Sequence, residues 1–407
     1  MKPLVALAAA QVLSLAGTRL STIAVPWLVL TTTGDPVLTG LVALAELLPY
    51  VLAKGLGGPV IDRTGPKRVA IWCDTASALA IGTVPVLHLM DLLTMPLLLV
   101  LLAVIGALRG PSDAAKGAMV PEIARLAGVP LERVTGITGA IERLAGTVGA
   151  AAAGALIALM GPAEALIFNA VAFALTAVVV AVAIPLVAAA APEGQPSRYG
   201  RRLAEGWQFL RRDPVLVGIV MMVAVTNLID QASAGVMLPV WVKSHGYDAS
   251  MLGAILAAYS GTSIAGSALA AAIGSRLPRL TVYVIAFLFS APPFFAVLAL
   301  GLPLPAIFAV VAISGFSAGF LNPIIGALMF ERIPKALVGR VTALIGALAW
   351  SLMPFGGVLG GLWISGIGLN GGLWIATLVY LTATLAPLLH PGFRQFGRRE
   401  AATDQVA

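Results

Sequence analysis

The strongest constraint on this chain is its rhythm. Apolar stretches of about 20 residues or more follow one another along its length, parted by short clusters of charge, Pro and Gly. A bilayer core about 30 Å thick is crossed by a helix of about 20 apolar residues, whose backbone polar groups are all satisfied within the segment. Breaks in the pattern predict twelve such spans, near 4–30, 37–60, 70–90, 96–120, 134–160 and 163–188, then 214–243, 249–275, 280–301, 304–330, 338–366 and 370–390. Composition agrees, since 59% of the 407 residues are hydrophobic and only 11% charged, against about 25% charged in soluble domains. That excludes a soluble enzyme, a disordered chain and a nucleic-acid-binding module, despite a net charge of +7. An outer-membrane barrel would alternate apolar and polar residues over about 10 positions, and the runs here are continuous. The fold class expected is an all-α integral membrane protein with twelve transmembrane helices in two six-helix bundles.

Charge gives the orientation. With both termini in the cytoplasm, 20 of the 25 basic residues fall in inside segments and only Lys243 falls outside, while Arg19, Arg109, Lys116 and Arg143 lie within spans. This is the bias of the positive-inside rule for an even number of spans in a cell membrane, and it accounts for the positive charge without nucleic acid. The domains expected are a first bundle at 1–190, a cytoplasmic linker at 191–213, a second bundle at 214–390 and a cytoplasmic tail at 391–407. In the linker, Leu203, Trp207 and Leu210 recur at helical spacing opposite a basic face, which predicts an interfacial amphipathic helix on anionic membrane lipid. The N-terminus lacks a short apolar segment followed by a small-residue cleavage site, so the first helix is expected to be retained. A lone Cys73 and the dispersed His88, His245 and His390 give no disulfide, cofactor or metal spacing.

Ionisable groups inside spans cost about 2.5–3.5 kcal/mol each on insertion scales, so they should be paired or face water. Arg109, Asp113 and Lys116 share one face of span 4 at i, i+4, i+7. Span 5 runs the opposite way and brings Glu142 and Arg143 to similar depth. A network of Arg109, Asp113, Glu142 and Arg143 between spans 4 and 5 is expected. Arg19 of span 1 and Glu46 of span 2 lie at matching depth and are expected to pair. Burial disfavours the charge of Glu46 and a facing arginine favours it, which makes it a proton-carrier candidate. Asp230, mid-span in span 7 with no basic residue beside it, is the leading proton-coupling candidate, neutral or reaching across to Arg19 or Arg109. Asn169, Asn227, Gln231, Tyr259, Asn322, Trp350 and Met353 are candidate cavity liners. The Met and Phe residues of spans 7 and 10 fit lipid-facing or core positions equally, and the apolar bias of the set with them suits a hydrophobic or amphiphilic small molecule rather than a sugar.

After span 2 the chain reads Gly58-Pro59-Val60-Ile61-Asp62-Arg63-Thr64-Gly65-Pro66-Lys67-Arg68. Read physically, Gly58 lets the helix end pack tightly, Asp62 can face the positive end of a neighbouring helix, Gly65 permits a turn, and Arg63 and Lys67 hold the loop in the cytosol. Asp74, just inside span 3, is expected to join this loop. The segment resembles the loop 2–3 signature of the major facilitator superfamily, matching at Gly58, Asp62, Arg63, Gly65 and Lys67 and departing at Val60 and Pro66. A closer resemblance, to the branch containing bacterial macrolide and siderophore exporters, rests on three passages: Arg109 to Lys116 with Pro121-Glu122, Thr226 to Asp230, and Glu331 to Pro334 with Gly339-Arg340. The antiporter signature of helix 5 is degraded, with Ala145, Gly149 and Gly154 fitting loosely and Ala150 in place of its proline.

The resemblance implies a monomeric secondary transporter without cofactor, exporting lipophilic or amphiphilic compounds by proton antiport and alternating access. It casts Asp62 as a conformational latch against the start of helix 11. An importer or lysophospholipid flippase of the same fold is the alternative. A membrane enzyme is disfavoured because no nucleophile–base–acid grouping and no phosphate-binding lysine loop is present.

Overall fold

The computed structural model describes residues 2–185, 196–273, 276–334 and 337–389; the expected tail at 391–407 and the start of the linker at 191–195 lie outside the described residues. The described chain is helical throughout, with no strand among the described residues. Eleven helical stretches are long and apolar enough to cross a bilayer. The last, Arg340–Leu389, has 50 residues, about 75 Å at 1.5 Å per residue, which is twice what one crossing needs. Gly368, with φ 78° and ψ 166°, breaks it. Its length and this break fit the two crossings expected there, spans 11 and 12.

Local chemistry sets the ends. Proline, which lacks the N–H that a first turn cannot use anyway, opens spans 2, 3 and 6 at Pro36, Pro66 and Pro162. Asp35, Asp213 and Asp248 cap spans 2, 7 and 8 by accepting from the backbone N–H groups of Val37 and Leu38, Val215 and Leu216, and Ser250. Those bonds hold the Asp248 carboxyl below the usual carboxylate range; the largest cause is the Ser250 hydroxyl, which donates to it. Span 4 (Met95–Ala127) passes through Pro121 and continues beyond the expected end near 120 to Gly128, whose φ of 66° stops it.

Prolines act differently along the chain. Pro26, Pro49, Pro85, Pro111 and Pro121 all sit inside unbroken helices of the first six spans. In the last six, span 7 widens into a π-helical turn at Ser233–Met237 just before Pro239. Span 9 divides at Ala291 before Pro292, and span 11 is interrupted by a 3-10 turn at Met353–Phe355 around Pro354. Each proline removes one backbone donor and crowds the carbonyl four residues earlier, and these local rearrangements relieve that clash.

Contacts group the chain into two compact units, Met1–Glu193 with Asp230–Gly261 and Met353–Gly372, and Gly194–Ile229 with Thr262–Leu352 and Leu373–Ala407. They do not coincide with the expected halves at 1–190 and 214–390, because parts of spans 7, 8 and 11 pack against the first six spans. Glycines make this possible. A Cβ on Gly361 would lie 2.5 Å from the Pro36 carbonyl oxygen, one on Gly154 2.6 Å from that of Ala249, and one on Gly253 2.7 Å from that of Ala150. Gly40 lies against the backbone of Gly357 in the same way. Only helices free of side chains at these points approach so closely.

Candidate functional site: buried charges around span 4

Span 4 carries the site because of how it meets span 2. Gly106 lies against the backbone of Glu46, and a Cβ on Gly110 would fall 2.5 Å from the Tyr50 carbonyl oxygen. Between these two glycines Arg109 is delivered straight onto Glu46. Its Nη1 donates to Glu46 Oε1, and both side chains are about 10% exposed. One turn on, the Tyr50 hydroxyl donates to Asp113 Oδ2 at 3.1 Å and accepts from Lys54 Nζ at 3.0 Å. Both cations also lie over the Tyr50 ring, Lys54 at 5.2 Å and Arg109 at 5.4 Å from its centroid. Two carboxylates and two cations thus neutralise one another around a single tyrosine.

The next face of span 4 holds a second pair. Lys116 Nζ lies 3.0 Å from Asp74 Oδ2 with both side chains almost fully buried, and donates to Ser14 Oγ at 3.0 Å. Ser112 donates to Asp74 Oδ1 at 2.6 Å. Spans 1, 3 and 4 are tied together there. Asp74 therefore belongs to the bundle core, not to the loop 2–3 group in which its position near the start of span 3 placed it.

Several expected partnerships give way to these. Where a network of Arg109, Asp113, Glu142 and Arg143 between spans 4 and 5 is expected, Arg109 and Asp113 bond instead to Glu46 and Tyr50 of span 2, on the side where the glycines of span 4 face. Glu142 and Arg143 are exposed. Glu46 is taken by Arg109 rather than Arg19. Arg19 instead lies along span 5, its Cβ and Cγ 3.4 and 3.5 Å from where a side chain at Gly149 would begin, and it feels the charge of Glu142.

Asp230 is exposed, midway along span 7. It forms no ion pair among the described residues, so it reaches neither Arg19 nor Arg109. The half-buried Tyr259 is close enough to feel its charge. Gln231 Nε2 lies 3.1 Å from where a Cβ on Gly235 would stand, beside the π-helical turn.

Of the other expected liners, Asn169 is buried in packing, donating to Ser21 Oγ against Gly17. Asn227 donates to the Ala349 carbonyl at 2.9 Å, near the end of a helix. Asn322 and Trp350 are exposed and Met353 is half-buried.

The loop after span 2 is a short helix, Gly58–Thr64, closed by Gly65 at φ 88°. The tight contact falls at Gly57, where a Cβ would meet the Ala53 carbonyl oxygen at 2.8 Å, while Gly58 has open space around it. Asp62 and Arg63 are exposed. Lys67 donates to the Ala181 carbonyl at 2.8 Å, a cation on the last turn of span 6. Near the far ends of spans 1 and 7, Lys243 donates to the Leu30 carbonyl at 2.5 Å, beside the glycine contacts of spans 2 and 11.

Tyr50, Ser112 and Ser14 are participants that sequence reasoning missed. Only Ser112 carried a signal, at i+3 from Arg109 on the charged face of span 4.

A family model described as Major Facilitator Superfamily matches residues 7–354 and 220–400. The chain is 29% identical over 399 residues to the multidrug efflux pump Tap of Mycolicibacterium fortuitum, covering 97% of both chains. It is also 29% identical to the Tap pump of Mycobacterium bovis, covering 95% of this chain and 93% of that one. Among solved structures it resembles the nucleoside transporter NupG, with a TM-score of 0.67, 14% identity and coverage of 97% and 98%. A D-xylose-proton symporter is similar, with a TM-score of 0.68, 14% identity and coverage of 94% and 96%.

Proposed function

The chain belongs to the Major Facilitator Superfamily and is a multi-pass membrane protein, and from that premise we propose that it exports lipophilic or amphiphilic small molecules by proton antiport and alternating access. It works as a monomer in the cell membrane with both termini in the cytoplasm. The relatives named multidrug efflux pumps, similar over nearly the whole chain, support the direction and the substrate class.

The observation that carries the coupling is the buried Glu46–Arg109 pair with Tyr50, Asp113 and Lys54 around it. While Glu46 is charged, Arg109 is held on span 2. A proton on Glu46 cancels that attraction, and Asp113, one turn along the same helix, becomes the carboxylate that Arg109 favours. A switch between two partners moves span 4 relative to span 2, and protonation selects between the two arrangements. Asp230 supplies the second half of the exchange. An exposed mid-span carboxylate in no ion pair among the described residues attracts either a proton or a cationic substrate, and occupancy by one discourages the other. The glycine contacts of spans 2, 5, 8 and 11, with Lys243 on span 1, support a closed outer side under the positive-inside orientation.

Everted vesicles carrying the protein test this reading. Energised with a proton gradient, they are expected to accumulate a fluorescent lipophilic dye, and D230N is expected to lose uphill accumulation while still binding the dye. Accumulation that persists after full collapse of the gradient, or uphill transport unchanged in D230N, overturns it.

A further inference from the structure

The helix that joins the two halves, Pro196–Arg212, has two faces with different partners. Its inner face docks on the first turns of span 11, Val338–Trp350. Leu210 is 2% exposed within an apolar cluster containing Val341 and Ile345. A Cβ on Gly206 would lie 3.1 Å from Leu344 Cδ1, and Arg340 Nη1 donates to Glu205 at 2.9 Å. Leu210, expected on a lipid-facing stripe with Trp207, is therefore a protein contact.

The outer face is left with Trp207, 47% exposed, and with Arg211 and Arg212, both exposed. Trp207 and Arg211 are one turn apart on the same side of the helix. Their height is fixed by the chain. Only Asp213 separates this helix from span 7, which begins at Pro214. Asp213 is pinned in turn, capping span 7 with one oxygen and accepting from Arg332 Nε at 2.8 Å with the other. The last turn of the linker helix is thus tied to the point where an apolar span enters the bilayer, at the depth of the headgroups. A tryptophan beside arginines at that depth is the residue pairing of a membrane interface.

We infer that the outer face of this helix, Trp207 with Arg211 and Arg212, is a binding surface for the headgroups of anionic phospholipids. The two guanidiniums supply paired donors for a phosphate, and the indole lies among the glycerol groups with its N–H toward water. The clamp formed by Glu205–Arg340 and Asp213–Arg332 holds the helix on span 11, so the ridge stays presented to the bilayer. This surface is independent of what the protein transports.

The test uses the full-length protein in nanodiscs, reading the tryptophan emission lost between wild type and W207F. Dibromo-phosphatidylglycerol and dibromo-phosphatidylcholine, brominated near the headgroup end of the chain, are added in turn at equal fraction. The W207 component is expected to be quenched by both lipids, with an apparent preference for the anionic lipid on the order of ten-fold. In R211Q/R212Q the quenching is expected to stay and the preference to disappear. Soluble glycerol phosphate in excess is expected to leave the preference intact. A W207 component that neither lipid quenches, equal quenching by both in the wild type, or a preference that survives R211Q/R212Q overturns the inference. Loss of the preference on adding glycerol phosphate would also overturn it, by making the site one for a free anion.

Discussion

Spans 8 and 10 meet as spans 2 and 4 do, with different content. Gly266 faces the backbone of Phe316, and a Cβ on Gly319 would lie 2.6 Å from the Ser267 nitrogen, just as Gly106 and Gly110 face Glu46 and Tyr50. The later pair is closed by a hydroxyl, Ser267 Oγ donating to the Gly319 carbonyl at 2.8 Å, and beside it Phe316 and Phe320 of span 10 stack edge to face at 5.5 Å. The earlier pair encloses Glu46, Arg109, Tyr50, Asp113 and Lys54. Close glycine packing in this fold therefore does not need charge. Where charge is nonetheless kept, at an insertion cost of about 2.5–3.5 kcal/mol per group, close packing alone does not call for it, and the coupling proposed above gives it a reason.

The largest expected break in this comparison comes from R109A. It leaves Glu46 buried without its cation and Asp113 half-buried with Lys54 alone nearby through Tyr50, and is expected to lower stability by about 3–5 kcal/mol and abolish uphill transport; thermal unfolding in detergent and vesicle accumulation read the two effects. G106V and G266V come next, as matched intrusions into the two crossings. Each is expected to lose about 1–3 kcal/mol, but only G106V should alter the pH profile of transport. Equal pH profiles would place the coupling elsewhere. Y50F keeps the ring between the two cations and removes the hydroxyl that joins Asp113 to Lys54. A loss of about 1 kcal/mol with a shifted pH profile of uphill transport is expected. S267A marks the small end, with about 0.6 kcal/mol lost and transport coupling unchanged.

Much of the fold was legible because its signals are local. Apolar run length placed the spans to within a few residues in most cases, and Pro36, Pro66, Asp35 and Asp213 marked helix starts by chemistry that needs no tertiary partner. The charged face of span 4 was equally visible, since Arg109, Ser112, Asp113 and Lys116 follow helical spacing. What faces it was not. Depth counted along spans 1, 2 and 5 left Arg19, Glu142 and Arg143 as reasonable partners, whereas packing chose Glu46 and Asp74. The deciding residues were Gly106 and Gly110, which mark the side on which span 2 approaches. Tyr50 was invisible for a related reason, because a tyrosine in an apolar span looks like packing until its neighbours are known. Between spans 11 and 12 the local signal was again enough, since the 50-residue helical stretch breaks at Gly368, inside the gap between 366 and 370 that the sequence predicts.

Proton release on substrate binding tests the coupling most directly. Purified protein in weakly buffered detergent solution, given a lipophilic substrate near neutral pH, is expected to release protons in the wild type and in S267A. That release should be lost or strongly reduced in D230N, whose amide cannot give up a proton. Release from D230N equal to that of the wild type, or none from a wild type that binds the same substrate, would contradict it.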